Sequence, residues 1–305
     1  MLTTPVVRCI KKQVPNCELH FVTKKAFLPV VANNPYIDKI HSFDSNVREC
    51  LPELRKQNFD YVIDLHHNFR SAQVKRAVSG KKFSFNKLNW EKWLLVNFKV
   101  NKLPNVHIVD RYFETVKELG VVNDNTGLDY FIAESDKVNT QTLFGVEPGN
   151  YHCVVAGGSY FTKQIPINKL RDICNASNKQ LIVLGGKEDK DTGVMLANEF
   201  PGKVFNACGK ISLNNSASVI QQADKIITSD TGLMHIASAY KKDVISLWGN
   251  TVPEFGMYPY MPGAGSKILE VKNLPCRPCS KLGYKKCPKG HFKCMNEIEV
   301  RGKVL

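Results

Sequence analysis

The chain has 305 residues, of which 43% are hydrophobic and 23% are charged, a composition typical of a globular protein long enough for two domains. No apolar run approaches the about 18 residues of a membrane-spanning helix, and no signal peptide is recognised, so a cytoplasmic protein is expected. An excess of 42 Lys and Arg over 28 Asp and Glu gives a formal charge of +14. This charge favours an anionic partner, such as nucleic acid, an anionic membrane surface or a phosphorylated substrate.

The first half of the chain alternates predicted strands with predicted helices, which is the pattern of a parallel sheet with helical crossovers. The apolar run at 59–65 predicts a strand buried on both faces. The predicted strands cover 18–22, 37–41 and 59–65, and the predicted helices cover 3–12, 23–31, 46–57 and 107–119.

The segment 81–102 is both basic and aromatic, and it has two interpretations. It can lie on a membrane surface through an apolar face and its lysines, or it can pack as a half-buried helix, which is the commoner arrangement.

Residues 120–150 are loop-like in composition, so we expect one domain at 1–145 and a second at 146–305. The second half repeats the alternation of strands and helices. Its predicted strands cover 151–156, 180–184, 204–205, 226–228 and 244–248, and its predicted helices lie between them.

Polar, glycine-containing turns follow three strands of the second half, and the carboxyl ends of parallel strands meet at one edge of a sheet. Gly158 and Ser159 offer backbone N–H groups in the first turn, and Lys163 nearby can place an ammonium against a phosphate. Glu188 in the second turn can accept hydrogen bonds from ribose hydroxyls. It is equally well explained as a first-turn carboxylate that the helix dipole favours.

The third turn leads from a β-branched strand directly into an apolar helix, whose first N–H groups suit a phosphate. Thr231 adds a hydroxyl, Gly232 lets a ligand approach the backbone, and His235 lies one turn further on. The alternative is an ordinary helix capped by Asp230 or by the serine before it. A carboxylate would repel a pyrophosphate, so we expect Asp230 either to cap its helix or to pair with Lys163.

Two further groups of residues are candidates for a site. His66, Asn68 and Arg70 follow the strand at 59–65 at its carboxyl end, where they can contact an acceptor, although a polar loop with a helix cap explains each residue singly at least as well. Four of the ten cysteines read C-x2-C-x7-C-x6-C, which is compatible with structural zinc, although only the first pair has the usual spacing. The candidate zinc ligands are Cys276, Cys279, Cys287 and Cys294.

Several motifs occur together in this chain: Ser229-Asp230-Thr231-Gly232-Leu233-Met234-His235, Trp248-Gly249-Asn250-Thr251 and Gly185-Gly186-Lys187-Glu188. Thr162-Lys163-Gln164-Ile165-Pro166 is similar to a Lys-x-Trp-Pro element, with Ile165 in place of Trp. Leu2-Thr3-Thr4-Pro5-Val6 and Asp60-Tyr61-Val62-Ile63-Asp64-Leu65-His66 extend the match into the first half. In this combination the chain resembles glycosyltransferase family 9, the ADP-heptose:lipopolysaccharide heptosyltransferases.

The resemblance implies an α/β fold of two Rossmann-like domains that face each other across a cleft, the glycosyltransferase B type. The acceptor would bind to the N-terminal domain and the nucleotide sugar to the C-terminal one. It implies an inverting, metal-independent enzyme that moves heptose from ADP-heptose to a lipopolysaccharide core or related surface glycan. Its partners would be the nucleotide-sugar donor, an anionic glycolipid acceptor and the cytoplasmic face of the membrane, with no nucleic acid and no cofactor beyond structural zinc.

The site residues that we expect follow from the turns and from this resemblance together. Lys163 would also stabilise the phosphate charge. The donor-binding set is Gly158, Ser159, Lys163, Glu188, Asp230, Thr231, Gly232 and His235, and the acceptor-binding set is Thr4, His66, Asn68, Arg70 and Arg111.

In the family that this chain resembles, a first strand and a Gly-Asp turn precede the Leu-Thr-Thr-Pro helix, and that Asp is the expected general base. Here Met1 directly precedes the helix, so we expect a chain truncated upstream whose base lies before Met1. A non-catalytic nucleotide-sugar binder is therefore one alternative. A zinc-containing nucleic-acid-binding protein is the other, although no recognised nucleic-acid motif supports it.

Overall fold

The computed structural model describes residues 1–300 and 302. Internal contacts divide the chain into two α/β units, of which the first is Met1–Leu88 with Val106–Phe131 and the second is Asn89–Asn105 with Ile132–Leu305.

The division lies earlier in the chain than the predicted boundary at 145/146. Residues 132–145 belong to the second unit because hydrogen bonds attach them to one of its helices. The Val138 N–H donates to Ser218 Oγ at 3.0 Å, and Gln222 Nε2 donates to the Val138 carbonyl at 2.9 Å.

The first eight elements alternate helices and strands, and two helices follow them. The ten elements are α1 (Thr4–Gln13), β1 (His20–Lys24), α2 (Leu28–Val31), β2 (Lys39–Phe43), α3 (Leu51–Arg55), β3 (Tyr61–Asp64), α4 (Phe69–Ala77), β4 (Lys81–Ser84), α5 (Asn89–Phe98) and α6 (Ile108–Phe113). All except α5 lie in the first unit.

The strands of the first unit form two separate parallel pairs, β1 with β2 and β3 with β4. The prediction that 59–65 forms a strand buried on both faces is wrong. Tyr61 is 48% exposed and only Asp64 is buried, so the two-stranded sheet of β3 and β4 is not covered on both faces. The segment 81–102 divides into the unpredicted strand β4 and the helix α5.

Arg8 links α1 to the loop at 124–129 through ion pairs and a hydrogen bond. Its side chain is 3% exposed and lies 2.7 Å from Asp124 Oδ1, it pairs also with Asp129, and its Nη2 donates to the Gly127 carbonyl at 2.9 Å. The hydrogen bond from Arg8 holds the pKa of Asp124 well below its usual range, whereas burial raises the pKa of Asp129 against the pull of the guanidinium.

The second unit continues the alternation. Its elements after α5 are α7 (Thr140–Phe144), β5 (Tyr151–Val155), α8 (Ile167–Ala176), β6 (Gln180–Leu184), α9 (Lys190–Glu199), β7 (Val204–Asn206), α10 (Leu213–Gln222), β8 (Lys225–Ser229), α11 (Gly232–Ala239), β9 (Asp243–Trp248), β10 (Lys267–Glu270) and α12 (Lys293–Asn296).

These strands form one parallel sheet in the order β10-β9-β8-β5-β6-β7. Every residue of β5 is buried, and β6 and β8 are buried beyond their first residue, because helices cover both faces of a doubly wound sheet. The order is that of a Rossmann-like domain, as expected. Within the described residues, no helix combines the length and the apolar character that crossing a bilayer requires.

Candidate functional site

Four loops leave the sheet of the second unit at the same edge, because all six strands run parallel. They follow β5, β6, β8 and β9, and we name this edge the switch-point edge. The chain winds away from the central neighbours β5 and β8 in opposite directions across the sheet. Ligands of open α/β sheets bind where the winding changes direction in this way.

An ion pair joins the loops after β5 and β8 across the switch point. Lys163 lies in the turn Phe161–Lys163, and its Nζ is 2.5 Å from Asp230 Oδ2. Thr251, in the loop after β9, donates to the same carboxylate oxygen at 3.0 Å. Asp230 therefore pairs with Lys163 and does not cap α11, which resolves the two alternatives that the sequence left open.

The N-terminus of α11 carries no side-chain cap. Its N-cap residue, Thr231, directs its hydroxyl to Thr228 Oγ1 at 3.1 Å. Gly232 is exposed, and a Cβ added there would meet nothing within 4 Å. The first N–H groups of the helix thus have no side-chain cap, and the backbone at Gly232 is open to a ligand at the positive end of the helix dipole, which suits a phosphate. His235 lies one turn further along the same helix and is half-buried.

The loops after β5 and β6 approach each other closely. A Cβ at Gly157 would collide with Asp189 Oδ2, and one at Gly185 would lie 2.7 Å from the Asp189 Cβ. Glycine is required at both strand ends because the Asp189 side chain occupies the space between them. Beyond this contact, Gly158 is half-buried and Ser159 is exposed.

Asp189 is a buried carboxylic acid that sequence reasoning missed. It is 6% exposed, and its Oδ2 accepts from the Gly186 N–H at 2.8 Å. Burial raises the pKa of Asp189, the Gly186 N–H opposes the rise, and the charge of Glu188 adds to it. Glu188 itself is exposed and can reach a ligand. The sequence does not show which of the two adjacent carboxylates is buried. The glycines at the ends of β5 and β6 were the available sign that a side chain packs between these strand ends.

Two residues after β9 were also missed as site residues. Thr251 contributes the hydroxyl that holds Asp230, and Asn250 beside it is 1% exposed. Neither amide atom of the Asn250 side chain has a hydrogen-bond partner within the described part of the chain. Polar side chains that follow a central strand at this edge were the signal for both.

The switch-point edge therefore combines the elements of a site for a nucleoside diphosphate. The uncapped N–H groups of α11 and the ammonium of Lys163 can contact two phosphates, and Glu188 can accept from ribose hydroxyls. Asp230 pairs with Lys163 and would hold its ammonium beside such a ligand. All the predicted donor-binding residues lie in these loops or in the first turn of α11, and their roles remain predictions.

The predicted acceptor-binding residues of the first unit differ in exposure, and one of them is buried. Thr4 is 2% exposed, and its hydroxyl donates to the Met1 carbonyl and accepts from the Asp129 N–H. The structure thus places Thr4 where it holds backbone together and not where a ligand can touch it. Arg111 lies over the ring of Phe85, 5.3 Å from its centroid.

The other three lie in the loop after β3 and in the first turn of α4. His66 and Arg70 are exposed, whereas Asn68 caps α4 by accepting from the Ser71 N–H at 3.0 Å. Partial desolvation, followed by the charges of Lys87 and Arg70, lowers the pKa of His66, so its imidazole is biased towards the neutral form.

Asp64 orders that loop through hydrogen bonds to its backbone. Its Oδ1 accepts from the His66 and His67 N–H groups at 3.0 and 2.6 Å, and Lys75 Nζ lies 2.9 Å from its Oδ2. Burial alone would raise the pKa of Asp64, but the His67 N–H and the hydrogen bonds from Lys75 and Ser71 outweigh it and hold the pKa below its usual range. The carboxylate therefore stays charged and orders the loop.

The four clustered cysteines share one neighbourhood. Cys276 Sγ lies 3.9 Å from His291 Nε2, and Cys279 Sγ donates to the Cys276 carbonyl at 3.0 Å. Burial, reinforced by neighbouring cysteines, raises the pKa of Cys279 to about 11 and that of Cys294 to about 12. Zinc binds thiolates, and no three Cys, His, Asp or Glu side chains of the described residues are placed to hold a metal ion. As placed, Cys276, Cys279, Cys287 and Cys294 do not fit the predicted zinc site.

Comparison with known proteins bears directly on this site. The sequence model of glycosyltransferase family 9 (heptosyltransferase) matches residues 47–286. Lipooligosaccharide heptosyltransferase 2 of Haemophilus influenzae is 22% identical over 284 residues, which cover 84% of this chain and 81% of that protein.

Two solved structures share the fold. A glycosyl transferase family 9 protein of Veillonella parvula has a TM-score of 0.72 at 22% identity, with 88% of this chain and 82% of that chain covered. E. coli heptosyltransferase WaaC with ADP has a TM-score of 0.68 at 21% identity, with 88% of each chain covered.

The family match spans well over half of the chain and includes every loop of the switch-point edge. The solved structures share the α/β architecture of both units. By this extent of sequence and fold, the chain belongs to glycosyltransferase family 9, the heptosyltransferases, and is a glycosyltransferase.

Proposed function

We propose that the protein transfers heptose from ADP-heptose to an acceptor of the lipopolysaccharide core or a related surface glycan. The observation that carries the proposal is the uncapped N-terminus of α11, with open space in front of Gly232 and the ammonium of Lys163 beside it at the switch point. Relatives named as lipooligosaccharide and lipopolysaccharide heptosyltransferases support the sugar and the acceptor. The related structure with ADP supports the nucleotide.

The proposed reaction is an inverting displacement that needs no metal. An acceptor hydroxyl attacks the anomeric carbon, its proton passes to a base, and the bond from that carbon to the diphosphate oxygen breaks. The nucleoside diphosphate leaves with the bonding electrons. Lys163 and the first N–H groups of α11 stabilise the negative charge that develops on it.

Asp230 has a positioning role in this proposal. A Lys side chain is flexible, and its ammonium has to be held where the leaving group forms. The contacts from Asp230 Oδ2 to Lys163 and from Thr251 to Asp230 supply that restraint, since they join three loops of the edge.

We further propose that the protein acts in the cytoplasm on an anionic glycolipid presented by the membrane, without nucleic acid as a partner. The charge of +14 supports an anionic partner of this kind. Calorimetry with ADP, ADP-heptose and a short oligonucleotide tests the assignment. We expect saturable binding of the first two alone, and tighter binding of the oligonucleotide would overturn it.

Replacement of Lys163 by Met tests the proposed role of the ammonium. Because its contact strengthens as charge develops on the leaving group, we expect kcat to fall about 100- to 1,000-fold with a smaller change in KM. Heptose transfer is measured with EDTA present, which also checks that no metal is needed.

Lys137→Met is the matched control, since Lys137 is an exposed lysine of the same unit at the opposite edge of the sheet. Its neighbour Val138 is hydrogen-bonded to Ser218 and Gln222 of α10, and α10 leads into the amino end of β8. The control variant should retain full activity. Equal activities of the two variants would refute the role of Lys163, and loss of all transfer by the unmodified protein on EDTA treatment would refute the metal-independent mechanism.

A further inference from the structure

Exposed aromatic side chains are concentrated on α5 in the second unit. Trp90 and Phe98 are 64% and 61% exposed, and Trp93 is 42% exposed. The rings of Trp90 and Trp93 stack at 4.9 Å, and Trp93 meets Phe98 edge-on at 5.2 Å. The three rings therefore form one continuous apolar surface, and a surface of this kind marks an interaction site more often than an isolated exposed side chain does.

The other side of α5 is anchored at the switch-point edge. Leu95 is buried and packs with Val252 and Phe255. These residues directly follow Thr251, which donates to Asp230. The aromatic surface is thus held beside the proposed donor site by a packed contact within one unit.

A second exposed segment, the loop 281–286, lies close to the same edge. Leu282 and Tyr284 are 59% and 41% exposed, and the three lysines of the loop are exposed as well. The Tyr284 N–H donates to Thr162 Oγ1 at 2.8 Å, and Thr162 is the residue before Lys163.

Lys99 links the two segments. Its Nζ donates to the Pro278 carbonyl at 2.7 Å, which joins the end of α5 to the chain leading into the loop 281–286. The segment 89–105 has three Lys and one Glu, and the loop 281–286 has three Lys and no acidic residue. Together they carry exposed aromatic rings and an excess of positive charge.

We propose that α5 and the loop 281–286 form a docking surface for an anionic lipid bilayer. Tryptophan favours the interface between headgroups and acyl chains, and lysines beside it are attracted to anionic lipids. A second copy of the chain would present the same positive charge, so repulsion disfavours self-association through this surface.

The docking does not depend on the proposed reaction, but it would suit it. A bilayer on this surface lies beside the switch-point edge, so a membrane-anchored acceptor could reach the donor without leaving the membrane.

Vesicle binding tests the proposal with the full chain. Vesicles of phosphatidylcholine alone are compared with vesicles containing about 30% phosphatidylglycerol, by co-sedimentation and by tryptophan fluorescence. Trp248 is already buried, so a blue shift on adding vesicles reports Trp90 and Trp93. We expect the shift, and about tenfold tighter binding to the anionic vesicles.

Two variants separate the apolar and the charged contributions. Trp90→Ala with Trp93→Ala should weaken binding to anionic vesicles about tenfold or more, and Lys285→Glu with Lys286→Glu should weaken it similarly without changing the weak binding to neutral vesicles. The matched controls are Phe27→Ala, an exposed aromatic residue of the first unit, and Arg55→Glu with Lys56→Glu, an exposed basic pair there. Both controls should bind within about twofold of the unmodified protein.

Two results would overturn the proposal. One is equal binding of all variants and controls to anionic vesicles. The other is a concentration-dependent dimer in sedimentation velocity that the tryptophan substitutions abolish, because the aromatic surface would then join two copies of the chain. Unchanged thermal unfolding midpoints establish that the variants are folded.

Discussion

Two glycines of the switch-point edge differ in what a side chain would meet. Gly157 faces the buried carboxylate of Asp189, whereas Gly232 faces open space before α11. The first glycine is needed for packing within the protein, and the second leaves room for a ligand. Adding a methyl group at each position therefore tests packing at Gly157 and ligand binding at Gly232.

We expect Gly157→Ala to destabilise the second unit by about 1–3 kcal/mol, because the new Cβ overlaps a carboxylate oxygen that cannot retreat from the packed loop. Gly232→Ala should leave stability within about 0.5 kcal/mol while weakening ADP binding about tenfold or more, because its Cβ enters the space reserved for phosphate. Urea unfolding followed by tryptophan fluorescence, with calorimetry of ADP binding, measures both. The reverse pattern would contradict this assignment of the two glycines.

At the scale of single elements, α1 is held by a buried ion-pair network. We expect Arg8→Met to lower stability by about 3–5 kcal/mol, because it leaves the carboxylates of Asp124 and Asp129 without their cation. Lys11→Met in the same helix is the control. Its pair with Asp38 is partly exposed, so the loss should stay below about 1 kcal/mol. Thermal unfolding followed by circular dichroism measures the two losses, and equal losses would show that the network adds nothing beyond surface charge.

Sequence reasoning located every strand of the described residues except β4 and β10. In β5, β6, β8 and β9 most residues are apolar and buried, and glycine or a polar turn follows the strand. β4 and β10 are short, and at least half of the residues in each are exposed, so neither shows a long apolar run. The predicted helix over 46–57 is a 3-10 turn, Val47–Cys50, followed by the short α3. The hydrophobic pattern of the sequence does not show where a 3-10 turn ends and an α-helix begins.

The predicted donor-binding residues could be assigned to one edge of the sheet from sequence, because the end of a strand specifies which edge the following loop occupies. The contacts that these side chains make with one another at that edge could not be predicted. Pairing of Lys163 with Asp230 was one of two alternatives, and the roles of Asp189 and Thr251 depend on contacts between loops that are distant in sequence. Thr4 was assigned to the acceptor site, but its hydroxyl bonds to backbone groups. A threonine at the start of a helix can bond to the backbone or to a ligand, and its sequence position does not distinguish the two.

Across the whole molecule, a buried imidazole is one of the groups through which pH acts on stability. His152 lies in the central strand β5, with a side chain 2% exposed and Nδ1 3.5 Å from Asp224 Oδ2. Burial lowers its pKa from 6.5 to about 4, Asp224 opposes the shift, and Lys179 and Lys225 add to it. Between these two values the unfolded chain binds more protons than the folded one. The contribution of His152 is therefore complete above pH 6.5 and is lost as pH falls towards 4.

We expect the second unit to lose about 2 kcal/mol of unfolding free energy through this group between about pH 7.5 and about pH 5. His152→Leu should flatten the profile by that amount. All three tryptophans lie in the second unit, so fluorescence-detected urea unfolding reports on it selectively. Parallel pH profiles for the two proteins would show that His152 is not the group responsible.

The all-parallel order of the second unit also determines when its site can form. Residues Cys153 and Ile226 pair in register although 73 positions separate them in the chain, and Lys163 reaches Asp230 across a similar interval. Contacts so distant in sequence form late, because the chain must close large loops before they stabilise anything. The pair of Lys163 with Asp230 is therefore expected only after the loop between them has closed. Under the proposed function, nucleotide would bind only the folded chain and would raise the free energy of unfolding by binding that state alone.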